Sequence, residues 1–303
     1  MKIIECVPNF SEGCNQENMT AIAKVFESFP RVRLVDFSGD SDHNRSVYTF
    51  LGRPDDILEA ALAVSGKALE LIDMCKQAGV HPRLGAVDVV PFIPLSTARM
   101  KDAVDVAHRF GRQLCERFGV PVYFYGEAAL VPERKELADV RRGGYEALAQ
   151  KMSRPQDIPD VGRQEFNVRA GATAVGARAP LVAYNINLAS DDLRLAQKIA
   201  SQIREKSGGL KHVRAIGVIL RSRGIAQVSM NLTNYKETPL KPIYDLVKTL
   251  SADRGVEILE SELIGLVPKS ALAGTTAKYL KLKDFNKDRL LETHLKNFSC
   301  QPK

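Results

Sequence analysis

The stretch from Gly79 to Leu95, GVHPRLGAVDVVPFIPL, predicts the step from a helix to a strand at the centre of the first half of the chain. A long amphipathic pattern ends at Gly79, a residue that readily takes a left-handed cap, and an apolar, β-branched run follows. His81 and Arg83 are therefore expected in the crossover. Pro82 restricts the backbone at and before its own position, so the imidazole would be held on a stiffened loop. The residues alone leave two interpretations open, a general base and a surface histidine.

Outward from this stretch, hydrophobic periodicity predicts alternating strands and helices. In the first half, strands are expected at 2–7, 32–37, 46–51, 87–93 and 122–125, and helices at 16–28 and 54–79, with a third helix capped by Ser96 or Thr97. Residues 128–178 show weak periodicity and are expected to form the junction between domains. In the second half, strands are expected at 181–188, 213–220, 225–232 and 256–267, and helices at 191–206 and 240–252.

Both halves have the order β-α-β-β-α-β, which predicts an α+β fold of two ferredoxin-like subdomains, residues 1–178 and 179–303. A chain of 303 residues is long for one hydrophobic core and comfortable for two. In such a unit the helices cover one face of the sheet, so the other face is available for ligands.

Charge and cysteine content narrow the class of protein. The net charge of +7 favours an anionic partner, but the basic residues form no block of five or six, which argues against a nucleic-acid tail. The five cysteines show no CxxC or Cys/His spacing, so neither a disulfide framework nor a zinc site is expected. The sequence shows no signal peptide and no membrane-spanning run, and we expect a soluble, cytoplasmic protein.

A polar patch is predicted on the second sheet. Its first and third strands should be neighbours, and their two-residue period places one set of polar side chains together on one face. These side chains are Asn185, Asn187, Gln227, Ser229 and Asn231. Amides in a row favour the wall of a polar cleft over a solvated sheet.

The segment GATAVGAR, from Gly171 to Arg178, enters that strand and lets backbone approach a flat ligand closely. It matches neither a GxGxxG nor a Walker loop, and a domain linker is the alternative interpretation.

Asn9 and the loop from Asp40 to Arg45, which includes His43, are further polar candidates. No GxSxG elbow, HExxH or Ser-His-Asp order is present. RNA binding has little support, since Tyr48 and Phe50 lack an aromatic partner on the first strand.

Several ordered motifs resemble the glutamate formimidoyltransferase family across nearly the whole chain. They are ECVPNFSEG at 5–13, NRSV at 44–47, the stretch 79–94, VYFYGEA at 122–128, GAT and GAR within 171–178, and NINL at 185–188. In mammals this transferase is fused to a cyclodeaminase. The resemblance implies transfer of a formimidoyl group between N-formimidoyl-L-glutamate and N5 of tetrahydrofolate, with folate as co-substrate in a tunnel between two ferredoxin-like halves. We also expect a homodimer, and the transfer chemistry requires no metal. Neither a nucleic-acid nor a membrane partner is expected from the charge pattern and hydropathy.

The resemblance further implies roles for individual residues. The catalytic histidine of the family aligns with His81, and its aspartate aligns with Ser38, so the carboxylate partner stays open between Asp40 and Asp42. The family's folate-binding stretch aligns with roughly 166–175, which covers Phe166, Asn167, Gly171, Ala172 and Thr173. The residues themselves, rather than the resemblance, add Gly176 and Arg178 and the five polar side chains of the second sheet as folate-binding candidates. For the substrate, Arg45 and Arg83 suit bidentate capture of glutamate carboxylates, with His43 and Asn9 nearby. Formyl transfer and a non-catalytic folate- or RNA-binding protein are the alternatives.

Overall fold

A computed structural model describes residues 1–79 and 82–299 and divides the chain into two compact units, Met1–Arg178 and Ala179–Lys303. Each unit has its own sheet and its own hydrophobic core. The predicted α+β class is therefore confirmed.

The N-terminal unit contains seven strands and five helices among its described residues. The strands are β1 (Lys2–Cys6), β2 (Asn9–Phe10), β3 (Arg33–Asp40), β4 (Arg45–Gly52), β5 (Val87–Ser96), β6 (Val122–Gly126) and β7 (Thr173–Ala177). The helices are α1 (Gln16–Lys24), α2 (Pro54–Leu71), α3 (Met100–Phe118), α4 (Leu137–Val140) and α5 (Leu148–Met152).

The sheet of this unit is mixed. β1 lies between β4 and β5 and is antiparallel to both, and β3 pairs with the far side of β4. β2 pairs with the same two strands as β1. β1 and β2 therefore behave as one strand that is interrupted at Val7 and Pro8, because proline has no backbone N–H to donate to the ladder. On the other side of β5, β7 and then β6 are added in parallel.

Local sequence explains where several helices begin and end. The Asn15 side chain accepts from the backbone N–H groups of Glu17 and Asn18 and caps α1. Pro54, with two acidic residues behind it, opens α2. Gly119, at φ +67°, takes the left-handed conformation that ends α3.

The core of the unit lies on one face of the sheet. There α1, α2 and α3 bury large side chains such as Phe50, Phe92 and Phe110, all with no exposed area. Fully burying one such ring contributes roughly 1.5–3 kcal/mol. On the opposite face, α4 and α5 cover a smaller apolar cluster around Tyr123 and Leu148.

Three local predictions are wrong. α2 ends at Leu71 rather than Gly79, because Ile72 and Asp73 are extended and a 3₁₀ turn follows at Met74–Lys76. α3 is capped by Arg99 rather than Ser96 or Thr97, since Ser96 still belongs to β5. Residues 128–178 are no junction: they belong to the N-terminal unit and supply α4, α5 and β7.

The C-terminal unit has a four-stranded antiparallel sheet in the order β11-β8-β10-β9. Its elements are β8 (Val182–Leu188), α6 (Leu193–Ile203), β9 (Val213–Leu220), β10 (Ile225–Leu232), α7 (Leu240–Ala252), β11 (Ile258–Ile264) and α8 (Leu291–Ser299). The core forms between α6, α7 and one face of this sheet, around Tyr184, Ile186 and Val228. The strand alternation predicted for β8 and β10 is therefore confirmed.

Candidate active site

Three loops of the N-terminal unit are joined by the side chain of Asn44. Its Oδ1 accepts from the backbone N–H of Gly13 at 2.9 Å, and its Nδ2 donates to Gln77 Oε1 at 2.5 Å and to the carbonyl of Ala78 at 2.8 Å. Asn44 has φ +45°, a left-handed conformation that asparagine tolerates better than most residues. The amide thus holds the loop after β2 and the segment after α2 against the β3–β4 turn.

The segment after α2 is fixed on both sides of residues 80 and 81. The buried Glu12 carboxylate accepts from Gln77 Nε2 at 3.5 Å, and Arg83 Nη2 donates to the carbonyl of Gln77 at 3.0 Å and to Glu146 Oε1 at 2.8 Å. The Nε of Arg83 is buried without a hydrogen-bond partner among the described residues. His81, the predicted catalytic histidine, lies outside the described residues.

Asp40 and His43 form a pair at the β3–β4 turn. His43 Nδ1 lies 3.0 Å from Asp40 Oδ2, and the backbone N–H of His43 donates to Asp40 Oδ1 at 2.8 Å. Burial raises the pKa of Asp40, but the hydrogen bonds from the His43 ring and backbone outweigh it and leave this pKa below its ordinary value. Asp40 therefore acts as an ionised hydrogen-bond acceptor, and Asp42 lies two residues away in the same turn.

Opposite α1–α3, the N-terminal sheet presents a surface that we call the polar face. It carries Glu5, Asn9, Arg45 and Arg178, because the residues that alternate with them point into the core. Three of these four were predicted as site residues, and Glu5 was not.

Buried charges surround Arg45 on the polar face. Burial, followed by the neighbouring Arg141 cation, lowers the pKa of Arg45 to about 10. Arg141 is held by the fully buried Asp88, with Nη2 donating to Oδ2 and Nε to Oδ1 at 3.3 Å. Asp88 also accepts from the backbone N–H of Leu84 at 2.9 Å. A guanidinium with this environment is suited to bind an anion, since an anion offsets its desolvation.

The predicted folate-binding segment is divided by the structure. Phe166 and Asn167 line a cavity of about 510 Å³ in the N-terminal unit, near Cys115 and Gly119. Arg178 follows the opposite end of β7, whose five residues span roughly 17 Å at about 3.3 Å each. The two ends of the segment therefore contribute to different surfaces.

Between these ends, the remaining members of the segment contact protein. Gly171 has φ +69° and bridges Gly85, where a Cβ would lie 2.2 Å from the Leu84 carbonyl oxygen. Ala172 and Thr173 are fully buried, and Gly176 lies against the Tyr125 ring. The glycines serve close packing of backbone here.

In the C-terminal unit, the five predicted polar side chains share the face of the sheet opposite its core, which we call the amide face. Asn187 pairs with Gln227 and Asn185 with Ser229 across β8 and β10. Asn231 is exposed, whereas Asn187 and Gln227 are almost completely buried, at 0% and 1% exposure.

Two glutamates from β11, which the sequence analysis missed, complete the amide face. Gln227 Nε2 donates to Asn187 Oδ1 at 2.9 Å and to Glu262 Oε1 at 2.8 Å. Asn187 Nδ2 donates in turn to Glu260 Oε1 at 3.1 Å, which also accepts from Arg223 at 2.6 Å. The Oε1 of Gln227 is buried without a partner in the described part of the chain. The amide face is thus an ordered network with one unused acceptor.

Across residues 1–79 and 82–299, no group of three or more His, Cys, Asp or Glu side chains is placed to hold a metal ion. Within the same ranges, no helix combines the length and the apolar character needed to cross a bilayer.

Comparison with known proteins identifies the family. Residues 3–178 match the sequence model of the formiminotransferase domain, N-terminal subdomain, and residues 183–295 match that of the formiminotransferase domain. The chain therefore belongs to the formiminotransferase family.

Its relatives include both single and fused proteins. It is 42% identical to the glutamate formimidoyltransferase of Streptococcus pyogenes serotype M1, over 97% of this chain and 99% of that protein. The glutamate formimidoyltransferase of Thermoplasma acidophilum is 41% identical over 96% and 97% of the two chains. The formimidoyltransferase-cyclodeaminase of Gallus gallus is 42% identical over 99% of this chain but only 58% of its own length.

Proposed function

We propose that this protein transfers the formimidoyl group from N-formimidoyl-L-glutamate to N5 of tetrahydrofolate, as a one-carbon transferase of histidine degradation. The observation that carries the proposal is the near full-length similarity to a protein named glutamate formimidoyltransferase, at 42% identity over 99% of that protein. The strand order of each unit, in which the first strand lies between the third and the last of a βαββαβ set, supports the ferredoxin-like assignment of both units.

The chemistry needs proton transfer in two directions. The attacking nitrogen of tetrahydrofolate loses a proton, and the departing glutamate nitrogen gains one. We propose that His81 carries this proton, a role that contributes typically 10²- to 10⁴-fold to rate. Asp40 and Asp42 are the candidate carboxylate partners of the reacting cation, and Asp40 is supported by its lowered pKa, which keeps it ionised.

Recognition of the glutamate part requires cations for two carboxylates. We propose Arg45 and Arg83 for this role, with His43 and Asn9 beside them. The lowered pKa of Arg45, whose largest cause is desolvation, supports it, as does the Nε of Arg83, which is buried without a partner among the described residues. Replacing either arginine by lysine removes bidentate geometry while keeping the charge.

For folate, we propose the segment from Phe166 to Arg178 and the amide face. The amide face is supported by the Oε1 of Gln227, a buried acceptor without a partner among the described residues. Burying one unpaired polar group costs about 1–3 kcal/mol, so an unused acceptor favours a site that a ligand completes.

The direct test is turnover by the purified chain. Tetrahydrofolate is incubated with N-formimidoyl-L-glutamate, and free glutamate and the folate product are followed by mass spectrometry. N-formyl-L-glutamate and 5-formyltetrahydrofolate are supplied in parallel, and their preferential use would replace formimidoyl by formyl transfer. Folate binding without product from any donor would leave a folate-binding protein instead.

A further inference from the structure

Glu5 stands at the centre of the polar face. Ile4 and Cys6 point into the core, so Glu5 points to the other side, and its Cα pairs with Leu51 on β4 and Ile93 on β5. The residue is only 7% exposed. A carboxylate at this depth is normally hydrogen-bonded or paired with a base.

The Glu5 carboxyl group lacks such a partner in the described part of the chain, residues 1–79 and 82–299. It takes part in no hydrogen bond or ion pair there, and Arg178 is the charge near enough to influence it. Burial raises the pKa of Glu5 to about 7, and the Arg178 cation only partly offsets this rise. The group is therefore poorly satisfied by the protein itself.

A second unsatisfied group lies beside it. Thr49 lies two residues before Leu51, the β4 partner of Glu5, and therefore on the same face of the sheet. It is the diagonal neighbour of Glu5, and such neighbours typically have Cα atoms about 7–8 Å apart. Thr49 is 1% exposed, and its Oγ1 has no hydrogen-bond partner among the described residues. A carboxyl group that is only 7% exposed and a buried hydroxyl without a partner among the described residues thus share one place on the sheet.

We propose that Glu5 binds a planar group with two parallel N–H donors, and that Thr49 provides a second contact to the same ligand. A carboxylate accepts two parallel hydrogen bonds from such a group, as it does from a guanidinium. Resting on the proposed function, two ligands carry this chemistry: the amidinium of N-formimidoyl-L-glutamate and the aminopyrimidine edge of tetrahydrofolate. Either would complete the hydrogen bonding that the protein leaves open.

Glu5→Gln tests the proposal, because glutamine keeps the size but replaces one acceptor oxygen by a donor. We expect kcat/KM for N-formimidoyl-L-glutamate, or calorimetric affinity for tetrahydrofolate, to fall by roughly 10- to 100-fold, as for other hydrogen bonds to charged groups. A fall in kcat/KM for N-formimidoyl-L-glutamate identifies the amidinium as the group that Glu5 binds. A fall in affinity for tetrahydrofolate identifies the aminopyrimidine edge. No fall for either, or equal falls for both, would overturn the proposal. Glu116→Gln, an exposed change on α3, is the matched control.

The pH profile separates ligand binding from a merely structural role. The calorimetric affinity for the affected ligand, which the proton transfer proposed for His81 does not enter, should fall below about pH 7 in the natural protein as Glu5 takes up a proton. This acidic limb should be absent in Glu5→Gln. Arg178 is the charged side chain that faces Glu5, and the flanking partners Thr49, Leu51 and Ile93 do not titrate. The same acidic limb in both proteins would contradict the assignment.

Two further measurements test the site without relying on transfer activity or on the Glu5→Gln variant alone. Formamidinium chloride and 2-aminopyrimidin-4-one are titrated into protein with carbon-13 in its glutamate carboxyl groups, and the resonance missing from Glu5→Gln is followed. A shift with either probe supports the site even if transfer activity is absent, and no shift with either refutes it. If Glu5→Gln fails to fold, Thr49→Val should still weaken the same ligand several-fold.

Discussion

Replacing Glu5 by glutamine should make the N-terminal unit more stable at neutral pH. Burial raises the pKa of Glu5 from 4.5 to about 7 in the folded protein. A tenfold change in an equilibrium constant corresponds to about 1.4 kcal/mol, so this difference corresponds to about 3 kcal/mol at pH values above 7. Glutamine has the same shape and no charge to desolvate, and it removes this cost.

The sign follows from proton binding. Between pH 4.5 and about 7, folded Glu5 keeps its proton while the unfolded chain has lost it, so the natural protein loses stability as pH rises. Above about pH 7, Glu5 is ionised in both the folded and the unfolded chain, and the loss of stability is complete. Glu5→Gln should therefore equal the natural protein near pH 4.5 and exceed it by about 3 kcal/mol near pH 8.

Thermal unfolding followed by circular dichroism measures the difference, since the chain has no tryptophan for fluorescence. For a unit of this size, about 3 kcal/mol corresponds to roughly 6–12 °C in the unfolding temperature. Only the difference between variant and natural protein is compared at each pH, because other carboxyl groups titrate in both. A variant that is less stable at pH 8, or a difference that does not change with pH, would refute the reasoning.

Four further changes test the candidate site. His81→Ala should lower kcat by roughly 10²-fold or more while tetrahydrofolate affinity by calorimetry survives, and unchanged turnover would remove His81 from the mechanism. Arg45→Lys should raise KM for N-formimidoyl-L-glutamate more than for tetrahydrofolate, and equal effects would contradict its role. Asn44→Gly keeps the positive φ but removes three hydrogen bonds, so kcat should fall about tenfold and the melting temperature should fall by several degrees. Asn187→Leu should weaken tetrahydrofolate binding about tenfold and cost about 1–3 kcal/mol of stability, whereas Gln197→Leu, an exposed change on α6, should do neither.

Periodicity predicted most strands of both sheets because each has one face in a core. β9 and β10, for example, were predicted with the bounds that the structure shows. β7 was missed because its residues, TAVGA, are small and lack alternation, and its pairing with β5 and β6 is set by tertiary contacts. The end of α2 was missed because the apolar pattern continues to Ile72, whose side chain is buried in an extended segment.

The predicted polar residues of the candidate site were those in recognisable loops or in alternating strands. Asp88 and Arg141 were missed, because their ion pair joins positions 53 residues apart and the segment around Arg141 has weak periodicity. Glu5 carried a usable signal: a lone carboxylate between Ile4 and Cys6 in an apolar strand is costly to bury without a partner. Glu260 and Glu262 also alternate with buried residues of β11 and could have been placed on the amide face by the same rule.

The two strongly shifted groups of the polar face support one common interpretation. Desolvation is the largest cause in both cases: it lowers the pKa of Arg45 and raises that of Glu5. Each ionised form is thus destabilised by its present surroundings, and a bound ligand of opposite charge would favour it. A single molecule that carries carboxylates at one end and a cationic N–H group at the other would relieve both, which is the charge pattern of N-formimidoyl-L-glutamate. Two ionised groups destabilised by desolvation on one face are the pattern expected of a binding site that is completed by its ligand.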